Sequence, residues 1–203
     1  VLPQRDFSLV KPPPSINPDG TVSGVGVTRQ PLAGETNKMW NPGQIIPVYI
    51  TGGSEQFREK VKFYAAKWET IANIRFNFSN NYYDALIRVE FGSDNRNWSW
   101  IGRDVLFNPG RFQTVHFGSF TSTTQEIDFR RLILHEFGHA LGFIHEHQSP
   151  SAGIAWDKEK VYQYFAAPPN NWSRVEVDIN LFARYSTTNT NYSAYDPYSI
   201  MHY

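Results

Sequence analysis

Two stretches of the chain carry helical hydrophobic periodicity. Between Ser54 and about Asn73, the residues Phe57, Val61, Tyr64, Ala65, Trp68, Ile71 and Ala72 recur at helical spacing, with Ser54 placed to cap the start. The second helix is predicted to begin near Thr123, where Thr123-Thr124-Gln125-Glu126 has the form of a capping box. It turns Phe129, Ile133, Phe137 and Leu141 to one face, as a core-facing stripe requires. Short segments read as strands: Ile45 to Ile50, Arg75 to Phe78, Ala85 to Phe91, Trp98 to Val105 and Gln113 to Phe117. The order β-α-β-β-β-β-α predicts an α+β fold, a twisted mixed sheet carrying two long helices. After Gly142 the chain is rich in loops, with one short helix over Asp157 to Ala166 and another helical stretch within Asn171 to Tyr185. Residues 1 to 36 are rich in Pro, Gly, Ser and Val and read as an extended leader without a core of its own.

With 203 residues the chain can bury a full core as one large domain or two small subdomains. Nineteen basic and 19 acidic residues cancel, leaving no basic field for nucleic acid and no acidic field for a cationic partner. No apolar run reaches membrane-spanning length, and the first residues lack the basic start and apolar core of a secretory signal. Aromatics at 16% suit a rigid secreted protein, and a monomer is expected. The chain has no cysteine, which excludes disulfides, thiolate ligands and a cysteine nucleophile together.

The chemistry concentrates in HEFGHALGFIHEH, His135 to His147, which holds four of the six histidines. His135 and His139 are four apart, so on a helix they stack on one face and can reach one metal ion. Gly142 can end the helix with a positive φ, after which the chain turns back and brings His145 in as a third ligand. Glu136 follows the first ligand and can lean over the open side of the ion. Three neutral imidazoles, an open position and a carboxylate to take a proton from water are what a zinc hydrolase needs. His116, His147 and His202 lack ligand spacing and read as structural or solvated.

The extended motif HExxHxxGxxH resembles the metzincin signature. The terminal Ser199-Ile200-Met201-His202-Tyr203 is similar to the methionine turn of the astacin family, and Glu146 after the third histidine matches astacins where matrixins carry Ser. The likeness runs from about Lys38 to Tyr203. It implies a zincin-like α+β fold: a twisted, mostly parallel five-stranded sheet, two long helices, an active-site cleft and a loop-rich C-terminal subdomain. The implied organisation is a leader over 1–36 and a catalytic domain over 37–203, divided at about residue 142 into an upper and a shortened lower part. The implied cofactor is one catalytic zinc ion, the implied partners protein or peptide substrates, and the implied setting extracellular. The absence of cysteine departs from the animal members and looks more bacterial.

The resemblance also assigns roles. Met201 forms an apolar base under the histidines, and Tyr203 serves as a fifth zinc ligand that swings away to hydrogen-bond the transition-state oxyanion. Glu146 matches the glutamate that contacts the buried new N-terminus of mature astacins. Trp98, Ser99, Trp100, Ile101 and Gly102 look like the edge strand that pairs with substrate backbone. The Phe-x-Gly-Asp pattern of astacin pro-forms is absent, and Asp19 in Asn17-Pro18-Asp19-Gly20 reads as a solvated turn carboxylate. Two other functions remain open to this motif: a matrixin-like metzincin protease, and a zinc-containing peptide-binding module without turnover.

Overall fold

The structure is a computed structural model that describes residues 32–202. Most of the expected leader and the expected ligand Tyr203 lie outside the described residues. A five-stranded sheet is built from β2 (Gln44–Thr51), β3 (Ile74–Phe78), β4 (Ile87–Phe91), β5 (Asn97–Ser99) and β6 (Val115–Phe117) in the order β3-β2-β4-β6-β5. All neighbours run parallel except β5, which is antiparallel to β6 at the edge. Two helices, α1 (Glu55–Ala65) and α2 (Glu126–Leu141), join the sheet in one apolar core. Strand residues Ile46, Val48, Ile87, Val89, Val115 and Phe117 pack there with Phe129, Ile133 and Phe137 of α2. Each such side chain contributes roughly 1.5–3 kcal/mol of transfer free energy. An aromatic group binds α1 to α2, with Phe57 5.7 Å and Phe120 4.7 Å from Phe129, centroid to centroid.

Ser54 caps α1 by accepting from Phe57 N–H. Regular α-helix stops at Ala65, and a tighter 3₁₀ stretch, Ala66–Thr70, carries the chain on. The second helix starts at Glu126, not near Thr123, and the expected capping box is not made. Thr124 Oγ accepts instead from Thr121 N–H, while the Glu126 carboxylate is drawn to Lys60 and Tyr64 of α1. Tertiary partners outcompete the local cap. The strand expected over Trp98 to Val105 ends at Ser99. Gly102 has φ +48° and opens a 3₁₀ turn, Gly102–Phe107, because the backbone of Lys38 crosses there. A Cβ on Gly102 would lie 2.0 Å from the Lys38 carbonyl.

Beyond α2 the chain forms α3 (Lys158–Ala166), capped by Asp157, and α4 (Arg174–Val177), which has a complete Ser173–Glu176 capping box and runs on as a π turn to Phe182. A strand not foreseen from the pattern, β1 (Ala33–Glu35), pairs antiparallel with β7 (Thr190–Tyr192). Residues 33–35, inside the segment expected to be a coreless leader, therefore carry ordered structure, and Ala33 is fully buried.

Candidate metal centre

The helical rise of α2 sets His135 and His139 one turn apart. Gly142 takes φ +107° at the C-cap, where the N–H groups of Gly142 and Phe143 return to the carbonyls of His139 and Gly138 at 2.8 and 3.0 Å. No side chain fits at this turn: a Cβ would meet Met39 Sδ at 2.9 Å and the Lys38 carbonyl at 3.1 Å. The reversal brings His145 round, and one ligand atom from each of His135, His139 and His145 lies within 4.8 Å of the others.

Each helix histidine is held through its far nitrogen. The Nδ1 of His135 lies 2.8 Å from the carbonyl of Ile200, and the Nδ1 of His139 lies 2.8 Å from that of Phe143. A carbonyl can only accept, so Nδ1 carries the proton and Nε2 presents a lone pair. The Nε2 atoms of His139 and His145 are 3.1 Å apart. A tetrahedral ion with Zn–N bonds of about 2.0–2.1 Å needs edges of about 3.3 Å. The cup thus has the size and donor type of a zinc site.

Burial sets the charge states. Desolvation, with help from neighbouring imidazoles, pushes His139 down to about 3 and His145 down to about 2, and it lowers His135 as well. All three are neutral at physiological pH, the form that binds metal. Glu136, the residue after His135, is buried and pushed up to about 8 by desolvation. A divalent ion held by the three histidines would favour the carboxylate form instead.

The methionine turn closes the site from below. Met201 is fully buried, and its carbonyl accepts from Glu146 N–H at 2.8 Å. Glu146 is also fully buried; its Oε1 accepts from Asp196 N–H at 3.3 Å, while Oε2 has no hydrogen-bond partner among the described residues. Burial raises its pKa. His147 is buried and structural, its Nε2 bonded to the Asn180 carbonyl at 2.9 Å, and His202 bonds the Tyr195 hydroxyl at 2.8 Å.

Three residues support the site in ways their sequence context did not announce. Trp40 Nε1 donates to the Ala140 carbonyl at 2.8 Å, and Trp68 Nε1 donates to that of Leu134 at 3.0 Å. The Trp68 ring also stacks on Phe143 at 5.3 Å. Gly138 lies against the methionine turn, where a Cβ would stand 2.3 Å from Met201 Sδ. A glycine inside an otherwise strong helical pattern was the available signal, since it is tolerated there for close approach.

Of the residues expected to pair with substrate, Trp98 and Ser99 lie in edge strand β5, Trp100 and Ile101 follow it, and buried Gly102 opens the turn at the Lys38 crossing. The Trp98 ring stacks at 5.3 Å on His116, whose two ring nitrogens meet Glu90 at 2.9 Å and Asp94 at 3.0 Å. His116 is thus a buried structural pin on the sheet.

Fold and site together have the arrangement of the HExxHxxGxxH class of zinc-binding domains. The chain belongs to the astacin family: the model of the astacin peptidase family matches residues 33–203. It is 32% identical over 122 residues to zinc metalloproteinase nas-26 of Caenorhabditis elegans, covering 60% of this chain and 26% of that protein. It is 28% identical over 111 residues to zinc metalloproteinase nas-19 of the same organism, covering 55% of this chain and again 26% of that protein. The chain therefore spans about a quarter of the length of these curated relatives. The structure of myroilysin superposes with a TM-score of 0.81 at 48% identity, covering 84% of this chain and 82% of that one. High choriolytic enzyme 1, a hatching enzyme zinc-protease from the fish Oryzias latipes, shares the fold, with a TM-score of 0.53 at 22% identity over 83% of this chain and 74% of that one.

Proposed function

We propose that this chain is the catalytic domain of a secreted, monomeric zinc endopeptidase that cleaves protein or peptide substrates with Glu136 as general base. The observation that carries the reading is the convergence of three neutral imidazoles on one point, with the buried carboxylate of Glu136 following the first of them in the chain. His135, His139 and His145 would hold the ion. When bound, zinc supplies Lewis acidity that polarises a peptide carbonyl and makes water easier to deprotonate. Glu136 takes the proton from the attacking water and returns it to the leaving amine, so no covalent intermediate with the protein is needed.

Other assignments are supported by motif and register. Tyr203, two residues after Met201, matches the astacin tyrosine, and a phenol can serve as a metal ligand or an oxyanion donor. The orphan Oε2 of Glu146 supports its contact with a buried cationic N-terminus in a processed form. Substrate pairing can be assigned to particular atoms. Gly118 N–H donates to the Arg96 carbonyl and Trp100 N–H to that of Thr114, so Arg96, Trp98 and Trp100 face β6. The N–H and C=O groups of Asn97 and Ser99 consequently point to the free edge, where an extended peptide can add. Among the described residues no helix is long and apolar enough to cross a membrane.

Metal analysis together with hydrolysis of a quenched protein substrate tests the reading. Glu136→Ala keeps one zinc and loses about 10²–10⁴-fold in kcat. His139→Ala loses the zinc itself. Near-full proteolysis by Glu136→Ala would remove Glu136 from the mechanism.

A further inference from the structure

The segment Ala33–Glu35 is bonded on both of its edges. Toward β7, Ser193 N–H donates to the Leu32 carbonyl at 3.3 Å and Thr36 N–H donates to that of Asn189 at 2.9 Å. Toward the other side, Ile144 N–H donates to the Ala33 carbonyl at 2.9 Å and Glu35 N–H donates to the Gly142 carbonyl at 3.2 Å, with Gly34 bridged to Phe143. Alternation along a strand explains the division: residues 32, 34 and 36 face β7, while 33 and 35 face the turn Gly142–Ile144. That turn connects the second and third histidines of the cup. It also contains Phe143, whose carbonyl holds His139 Nδ1 at 2.8 Å.

The fit is close. A Cβ on Gly34 would stand 2.8 Å from Met39 Sδ, 3.2 Å from the Gly142 carbonyl and 3.3 Å from the Phe143 ring. Lys38 then ties the segment down through ion pairs with Glu35 at 3.0 Å and Asp104 at 2.9 Å. Besides these bonds, the loop between the ligands is held by the C-cap of α2, by the Phe143 carbonyl on His139 Nδ1 and by the Trp68–Phe143 stack. We infer that Ala33–Glu35 is a main-chain strap that positions the Gly142–Ile144 turn, and through it His139 and His145, for zinc. The inference rests on the metalloprotease reading. It has a consequence for processing: a chain trimmed through residue 36, the leader boundary expected from composition, loses the strap, whereas a cut before Leu32 spares it.

The test uses two substitutions at one position in the full 203-residue chain. Glu35 has φ −70°, which proline adopts without strain, and its N–H serves only the turn. Glu35→Pro therefore deletes one strap bond and the carboxylate and sets the ring Cδ against the Gly142 carbonyl, pushing strap and turn apart, whereas Glu35→Ala deletes the carboxylate alone. Zinc affinity is measured by chelator competition, alongside kcat, KM and the unfolding midpoint of the metal-free protein. Loss of the bond alone predicts zinc affinity roughly 2- to 10-fold weaker in Glu35→Pro than in Glu35→Ala, and the clash of the ring with the Gly142 carbonyl adds to that loss. The same variant should show reduced kcat and unchanged KM. Equal zinc affinity in the two variants overturns the strap. Should Glu35→Pro fail to fold, amide exchange in the unaltered chain decides: Ile144 N–H must be protected like its bonded neighbours, and fast exchange there overturns the inference. An unaltered chain that binds no zinc defeats the metalloprotease reading instead.

Discussion

Gly138 lies inside α2, one residue before the second zinc-site histidine, and substitution by alanine sets two magnitudes against each other. Helix propensity alone favours alanine by about 1 kcal/mol. The new Cβ, however, would stand 2.3 Å from Met201 Sδ and 3.1 Å from both Met201 Cε and Trp68 Cζ2. Carbon and sulfur need about 3.5–4 Å, so Met201 has to retreat by about an ångström or more from a fully buried position. Overpacking of this kind costs about 1–3 kcal/mol, leaving Gly138→Ala less stable by up to about 2 kcal/mol. The larger effect falls on the metal. The retreat moves the carbonyls of Ile200 and Met201, which hold His135 Nδ1 and Glu146 N–H. Disturbing the partners of a ligating histidine costs about 10- to 100-fold in metal affinity. Urea unfolding of the metal-free protein and chelator competition read the two effects separately. Met201→Ala alone leaves a cavity and costs about 2–5 kcal/mol, but in the double variant it removes the clash, so the pair should couple favourably by about 1–3 kcal/mol. Wild-type stability and wild-type zinc affinity in Gly138→Ala would refute the packing argument.

Two predictions concern stability away from the ion. Trp40→Phe strands the buried Ala140 carbonyl in the last turn of α2 and should cost about 1–3 kcal/mol in urea unfolding; a loss below about 0.5 kcal/mol would show that the bond is dispensable. The ion pair with Lys60, then the Tyr64 hydroxyl, lower the Glu126 pKa below its ordinary value of 4.5. A lowered carboxylate pKa stabilises the fold above the unfolded value, and that contribution disappears as pH falls through the folded one. The unfolding midpoint of metal-free Glu126→Gln should therefore fall short of wild type at pH 7, and the gap should narrow as pH drops below 4.5 and close once it passes the folded value. A gap that persists unchanged in acid would rule out the ionised carboxylate as its source.

Much of the centre was legible in one local stretch. The i, i+4 spacing of His135 and His139, the adjacent Glu136 and the helix-ending Gly142 depend on helix geometry and one positive φ, both of which are encoded within a few residues. The helical stripe of α2 and the short apolar strands were visible for the same reason, since period alone reports which face is buried. Boundaries were less legible wherever distant groups competed with local ones. Glu126 left its capping role for Lys60 and Tyr64, and the β5 edge stopped early because Lys38 crosses at Gly102.

How the ligands are held is a matter of long-range packing. The partner of His135 Nδ1 is a carbonyl 65 residues away, and Trp40 reaches a carbonyl 100 residues away. Residues 33–35 look like featureless leader in composition, yet they bond the turn between two ligands because β7 and that turn present complementary backbone groups on either side. Backbone hydrogen bonds are indifferent to side-chain identity, so no pattern of residue types announces them. The order of residues along the chain set which atoms can bind the metal and which carboxylate follows the first of them. The packing of far-separated segments set the tautomers, the burial and the spacing that let those atoms act together.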